Sequence, residues 1–470
     1  MTYQVANTIN PNSKDNTIVF SIFEAKDYQI NIKVAISRFE KQIEDLQKMK
    51  YNDSNIRVFI FGDYKFLCAL YGISGASGRH CCLFCYATAS EMKCIDPEIK
   101  YRALEDLCLD HKRFMENGGL KNIAKNFNNV INEPILKIPL DQVSLPSLHM
   151  ALGIYLNFFN MFEEKVHQLD ILMAAEPLKS GMKCSEEYEV FINKQKQLWN
   201  LQIDILNIDD QIELVNDIIL LAAVNNSDDV DDAQSLYLTE IELLINEKEK
   251  KTNLFNTLEE YFLKKGQGPC TQMIETILQQ LNVQRQAYHG KSFIGNHVHK
   301  MLKKPSILRL CNSIPKFVYD EGYSGTNIHL KSIEISKQYK QLFDKFAQCY
   351  NIFSSKNTEK LSILKKKIND LMQFYRENWP EASVSPKLHM LERHTVPFLE
   401  KWKAGFGFYG EQGGESIHAE FNKLKNIYQS IPCPTMHVKS ILKSHYQKTN
   451  PENMRLKPCV KKRKFVKKIA

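Results

Sequence analysis

The chain has 470 residues, 62 Lys and Arg against 54 Asp and Glu, a net charge of +8 and 43% hydrophobic residues. That is long enough for two to four domains or one large domain with insertions, with the composition of a soluble globular protein. Twelve cysteines in so long a chain do not form a dense disulfide framework. No secretory signal is visible, and the longest apolar stretch, residues 147–162 with His149 and Asn157 in it, reads as a buried helix too short for a bilayer. These features exclude a membrane span and favour a reducing compartment, cytosol or nucleus.

Residues 17–23 (TIVFSIF) are dense in β-branched and aromatic residues and predict a strand. Residues 29–49 place Ile32, Ala35, Ile36, Phe39, Ile43 and Leu46 at helical spacing, and IRVFIF (56–61) predicts a second strand ending at Asp63. A strand, a crossover helix and a parallel strand collect functional residues beyond the carboxyl ends of the strands. The loop GISGASG (72–78) follows, but its GxxGxxG spacing and the lack of a Walker lysine argue against phosphate binding.

Helices are predicted over 101–127 and 146–170, separated by a segment with Pro134, Pro139 and Pro146. From 185 to 282 amphipathic stripes, among them Leu198, Leu201, Ile205 and Ile212, predict an inserted helical domain. Its acidic break at 225–234 reads as a solvated loop rather than a calcium loop. The polar block 285–304 carries YHGKSFIGNH, helices resume over 331–377, and a last helix runs over about 415–428 ahead of a short basic helix. The resulting division is 1–100, 101–180, 181–284, 285–384, 385–430 and a basic tail, 431–470.

Cys82 and Cys85 have the spacing at which two thiolates face one tetrahedral ion, with Cys81 or His80 as further donors; buried thiols or a redox pair are the alternatives. His389 and His394 supply two imidazoles, and their five-residue separation requires a break in the helix, for which Pro397 is the nearest cause. Asp63 and Glu415 suit two-metal phosphoryl transfer with Mg²⁺ or Mn²⁺, with Glu411 as a rival acid. Asp63 equally fits a helix N-cap, and Glu415 a favourable charge at a helix start. The tail KKRKFVKK, with Lys461, Lys462, Arg463 and Lys464, suits nuclear import, phosphate contacts or a solvated end.

In order and spacing these residues resemble the RNase H-like catalytic core of DDE transposases, most nearly the Transib-type transposases and the V(D)J recombinase catalytic subunit. In that family a catalytic aspartate ends a strand, a Cys-x-x-C lies about twenty residues on, and a long helical insertion precedes two histidines five residues apart and a catalytic glutamate. Asp63, Cys82, Cys85, His389, His394 and, within GGESIHAEFN, Glu415 occupy those places. The stretches GDYKFLCALYGISGASGRHCCLFC and YGEQGGESIHAEFN also resemble transposon-derived reading frames.

The resemblance implies an incomplete RNase H-like α/β core, its N-terminal strands missing, with a large helical insertion and a predominantly α chain overall. It implies structural Zn²⁺ on the Cys and His pairs, a nuclear protein acting on DNA phosphodiesters, and a homodimer. Lys423, Lys425, Lys439 and Lys443 would join the basic tail on backbone phosphates. The family's first catalytic aspartate is expected upstream of Met1, so a truncated transposase without strand transfer is one expectation. A non-enzymatic, zinc-stabilised nuclear protein binding DNA or protein partners is the alternative, and a helical scaffold whose Cys and His merely pack is a third.

Overall fold

The structure is a computed structural model, and it describes residues 1–6, 13–22, 28–76, 78–95, 98–179, 186–224, 230–264, 268–286, 292–408 and 412–456. Lys461, Lys462, Arg463 and Lys464, Glu411 and the side chain of Glu415 lie outside the described residues, as do 225–229 of the acidic break and 287–291 of the polar block. The described chain is mainly α-helical, with a few short strands.

The N-terminal strands differ from expectation. β1 (Thr2–Gln4) and β2 (Thr17–Val19) pair antiparallel, with Tyr3 opposite Ile18, so β2 is shorter than the predicted strand. The helix expected over 29–49 is two, α1 (Gln29–Ile36) and α2 (Glu40–Leu46); between them the Ser37 hydroxyl donates to the Val34 carbonyl at 2.9 Å, which competes with the helical ladder. β3 (Lys50–Tyr51) and β4 (Ser54–Asn55) form a hairpin on Asn52 and Asp53, both at positive φ (47° and 59°), as a two-residue turn of matching twist requires. The strand predicted over 56–61 does not form a ladder: only Ile60 makes a bridge, parallel to Val143. An apolar β-branched run fixes a preference for extended backbone, and a ladder also needs a partner strand alongside.

The helices follow in chain order: α3 (Tyr64–Leu70), α4 (Leu104–Glu116), α5 (Ser147–Lys179), α6 (Glu186–Val224), α7 (Val230–Lys264), α8 (Pro269–Gln280), α9 (Gly295–Met301) and α10 (Lys304–Val318). After them come α11 (Asn327–Phe353), α12 (Leu361–Asn378), α13 (Pro386–His389), α14 (Thr395–Trp402), α15 (Gln412–Ile427), α16 (Pro434–Thr449) and α17 (Pro451–Arg455). No described helix is long and apolar enough to cross a membrane.

The chain divides into two compact units, and the division falls inside α5 and α11. The first unit comprises Met1–Leu156, Gln286–Leu302 and Leu342–Ala470. Its core includes Leu67, Leu83, Val130, Ile138, Phe346, Leu371 and Leu391, all at most 1% exposed, and the β1–β2 hairpin lies against α15 and α16, where His445 Nε2 reaches the Thr17 carbonyl at 3.1 Å. Gly72 (φ +76°) turns the chain out of α3, where any Cβ would lie 1.9 Å from the Asn132 carbonyl oxygen. Close backbone approach accounts for that glycine without a phosphate.

In the second unit, Asn157–Arg285 with Lys303–Gln341, the regular elements among the described residues are all helices. Phe158, Phe162, Val166 and Leu169 on α5 recur at helical spacing and are buried, and Tyr339 donates its hydroxyl to the Met161 carbonyl at 2.9 Å. α8 and α10 pack on each other, and Ile274 and Leu278 on the one and Leu310 and Ile314 on the other are buried.

Candidate metal centre

Residues 80–86 form a tight knuckle before an extended segment, 100–102. Tyr86 N donates to Lys100 O and Arg102 N to Phe84 O, both at 3.0 Å, pinning the turn that aims Cys82 and Cys85 inward. Arg102, 5% exposed, donates to the carbonyls of Cys85 (2.9 Å), His80 (3.1 Å) and Asn128 (3.0 Å), and its guanidinium lies 4.7 Å from the Tyr86 ring centroid. The Tyr64 hydroxyl donates to the Cys81 carbonyl and accepts from Leu83 N at 3.1 Å. These donors satisfy the carbonyls of His80, Cys81, Phe84 and Cys85 and brace the turn.

The two histidines come from the segment after α12. In a regular α-helix a five-residue offset would turn the second imidazole well away from the first. Here Met390–His394 is a single π-helical turn between α13 and α14, in which Thr395 N bonds Met390 O, and the extra residue returns His394 to the face of His389. The expected break therefore exists and is a π turn. Pro397, inside α14, has no N–H for the Arg393 carbonyl, which relieves the helix of one bond at that place. α12 clamps the turn: Arg376 forms a bidentate pair with Glu392 (2.8 and 2.9 Å) and also donates to the carbonyls of Met92 (3.2 Å) and Lys93 (3.1 Å).

The four side chains meet although the cysteines and histidines lie more than 300 residues apart in sequence. Cys82 Sγ lies 3.4 Å from His394 Nε2, Cys85 Sγ 3.2 Å from His389 Nε2, and the two Nε2 atoms 3.3 Å from each other. All four donor atoms fall within 4.8 Å of one another, and all four residues are buried. A tetrahedral zinc site with bonds of about 2.3 Å to sulfur and 2.0–2.1 Å to nitrogen has N···N edges of about 3.3 Å and N···S edges of about 3.6 Å. The observed spacings match the first and fall slightly inside the second. The cluster is thus compatible with a bound metal such as zinc.

Its electrostatics agree. The interaction with Cys82, with His389 and His394 adding to it, draws the Cys85 thiol far below a free thiol, while burial pushes Cys82 upward. A bound dication would favour both cysteines as thiolates, and Phe84 N–H donates to Cys82 Sγ at 3.4 Å. Burial lowers the pKa of His394, favouring the neutral imidazole that ligates metals. His389 Nδ1, buried, has no hydrogen-bond partner among the described residues. Neither sequence alternative joins the cluster: His80 Nδ1 is turned to the Tyr86 carbonyl at 2.7 Å, and burial keeps Cys81 protonated.

Asp63 is the N-cap of α3, its carboxylate accepting from Phe66 N at 2.7 Å. Among the described residues the one cluster of potential metal ligands is the Cys and His foursome, and Asp63 is not part of it. Glu415 lies in the first turn of α15. Lys423 and Lys425 on α15 and Lys439 and Lys443 on α16 are exposed. Sequence reasoning missed Arg102, Arg376 and Glu392; the one hint was a Glu-Arg pair set between the two histidines in an otherwise apolar LHMLERHTV.

Compared with known proteins, the chain matches no family model and no curated sequence.

Proposed function

We propose that this chain is a zinc-stabilised, transposase-derived nuclear protein that binds DNA. The observation that carries the proposal is the convergence of a Cys-x-x-C knuckle with a pair of histidines some three hundred residues away into one buried set of four donors. The resemblance to DDE transposases requires that pairing, which a scaffold with merely packed thiols and imidazoles does not. Cys82, Cys85, His389 and His394 would hold the ion. Four protein ligands leave no open position, so the metal's contribution there is structural.

On the same reading the first unit descends from an RNase H-like core. The extended segment leading into Asp63, its parallel bridge at Ile60 and the packing of α15 on the β1–β2 hairpin support that descent. In an active transposase Asp63 and Glu415 would serve Mg²⁺ or Mn²⁺. The engagement of the Asp63 carboxylate as a helix cap favours DNA binding over strand transfer as the activity of this chain. Lys423, Lys425, Lys439, Lys443 and the basic tail would supply phosphate contacts, which place a protein on a duplex without reading sequence.

The test combines metal analysis with binding. Purified protein should carry one zinc per chain, and a chelator should lower its unfolding midpoint. Duplex DNA affinity should fall steeply with salt, and K423E/K425E should reduce the slope of log K against log salt by about two phosphate contacts, each worth roughly 0.9. Protein without stoichiometric zinc removes the proposal's foundation. DNA binding indifferent to salt removes its second half, and nicking that requires Mn²⁺, Asp63 and Glu415 would restore the enzymatic reading.

A further inference from the structure

Along α6 the inward side chains Leu198, Leu201, Ile205, Ile208, Ile212 and Val215 alternate at three- and four-residue steps, the heptad spacing of a coiled coil. On α7 Ile241 and Leu244, then Phe255 and Leu258, answer them, with Lys248 and Lys251 completing the three- and four-residue steps between the two pairs. Lys251 pairs with Asp204 at 2.7 Å and Lys248 with Asp209, so positions rising along one helix meet positions falling along the other: the hairpin is antiparallel. The outward face of such a hairpin is ordinarily polar. On α6 it is not. Trp199 (66% exposed), Ile203 (39%) and Leu206 (58%) repeat the four-then-three spacing on the side away from α7.

The same outward stripe carries exposed Lys196 before its apolar centre and exposed Asp210 and Glu213 after it. Lys196 and Asp210 each lie seven residues from Ile203. We propose that this face docks a second copy of the chain, the two α6 helices running antiparallel about a two-fold axis at Ile203. Antiparallel pairing sets Lys196 of each copy against Asp210 of the other and Trp199 against Leu206, each twice. Parallel pairing would oppose like charges at both ends. An isologous contact of this kind closes on itself. It runs about 25 Å along the helix, which places it at the small end of specific interfaces and makes the dimer concentration-dependent. The inference rests on α6 and α7 alone and stands whether or not the chain binds DNA.

Sedimentation velocity of the full chain over a wide concentration range tests it, with far-UV thermal melts confirming that each variant remains folded. The wild type should pass from monomer to dimer. Ile203→Glu should weaken the dimer by about tenfold or more, and Lys196→Asp or Asp210→Lys by about threefold to tenfold. The double reversal K196D/D210K should restore wild-type association, a rescue that neither a generic sticky patch nor a folding defect produces. A chain that stays monomeric throughout, a dimer indifferent to Ile203→Glu, or a double reversal weaker than both single ones overturns the proposal.

Discussion

The two units each join remote segments through buried polar groups, but with opposite logic. In the first, the junction of knuckle and π turn is made by two cysteine sulfurs and two imidazoles, donors spaced so that one cation could sit among them. In the second, the partners already complete one another. The Asp170 carboxylate accepts from Cys270 N (2.7 Å), Thr271 N (3.1 Å) and Thr271 Oγ1 (2.7 Å), capping α8 from a distant helix where its own N-cap, Gly268, has no side chain. A Cβ at Gly268 would lie 2.4 Å from Asp170 Cγ, so the glycine admits the carboxylate. Arg285 likewise joins Glu163 (2.6 and 3.1 Å) and Glu275 (3.0 Å) over the Phe159 ring. One unit should therefore answer to metal, the other to pH and charge.

The sharpest way to separate them compares two arginines. Arg376→Ala leaves Glu392, 9% exposed at its side chain, without its bidentate partner and with only Arg393 Nε at 3.7 Å, and should cost about 3 kcal/mol by urea unfolding. It should also weaken zinc binding, because Glu392 sits inside the turn that aligns His389 with His394. Arg285→Ala should cost a comparable amount, yet zinc affinity measured by competition with a chromophoric chelator should be unchanged. Equal losses of zinc affinity in the two variants would erase the distinction between the units.

A smaller effect is expected at Asp170. Asp170→Ala leaves buried N–H donors at the start of α8 unpaired, worth about 1–3 kcal/mol. Burial raises the Asp170 pKa above the ordinary 3.8, against the pull of its hydrogen bonds from Thr271 and Cys270. The folded state therefore holds this proton more tightly than the unfolded chain does. Its contribution to stability is full below pH 3.8 and is lost as pH rises through the raised folded value. Stability curves of the wild type and the Asp170→Ala variant across that window should converge toward higher pH, after allowance for a constant offset from the lost hydrogen bonds. Parallel curves would show that Asp170 does not titrate in the window.

How much of this was legible beforehand depends on whether local pattern or remote partner decides a feature. A long apolar run located α5 and an amphipathic stripe located α6, and helices were expected over 331–377, where α11 and α12 lie, because such patterns are written within the segment itself. The four metal-ligand candidates were legible because Cys-x-x-C and the paired histidines are chemically specific, whereas the π turn that unites the histidines was not, since sequence required only some break. IRVFIF read as a strand because its residues favour extended backbone; its single bridge, to Val143, depends on a segment more than eighty residues away. Arg102, Arg376 and Asp170 were invisible for the same reason: each acts on carbonyls, carboxylates or N–H groups that only tertiary folding brings near.

The smallest predicted effect on stability decides the most about function. Asp63 accepts the Phe66 N–H at the start of α3, a task that asparagine performs about as well as aspartate and alanine cannot. Asp63→Asn should therefore leave the unfolding midpoint essentially unchanged, while Asp63→Ala should lose about 1 kcal/mol. Two-metal chemistry makes a different demand, since a carboxylate that holds Mg²⁺ or Mn²⁺ is not replaced by a neutral amide. If Asp63 only caps the helix, DNA binding will be the same in the wild type and the Asn variant, and neither will nick DNA with Mn²⁺. Cleavage by the wild type that disappears in Asp63→Asn at unchanged stability would make the aspartate an acid of the reaction, with capping its secondary task.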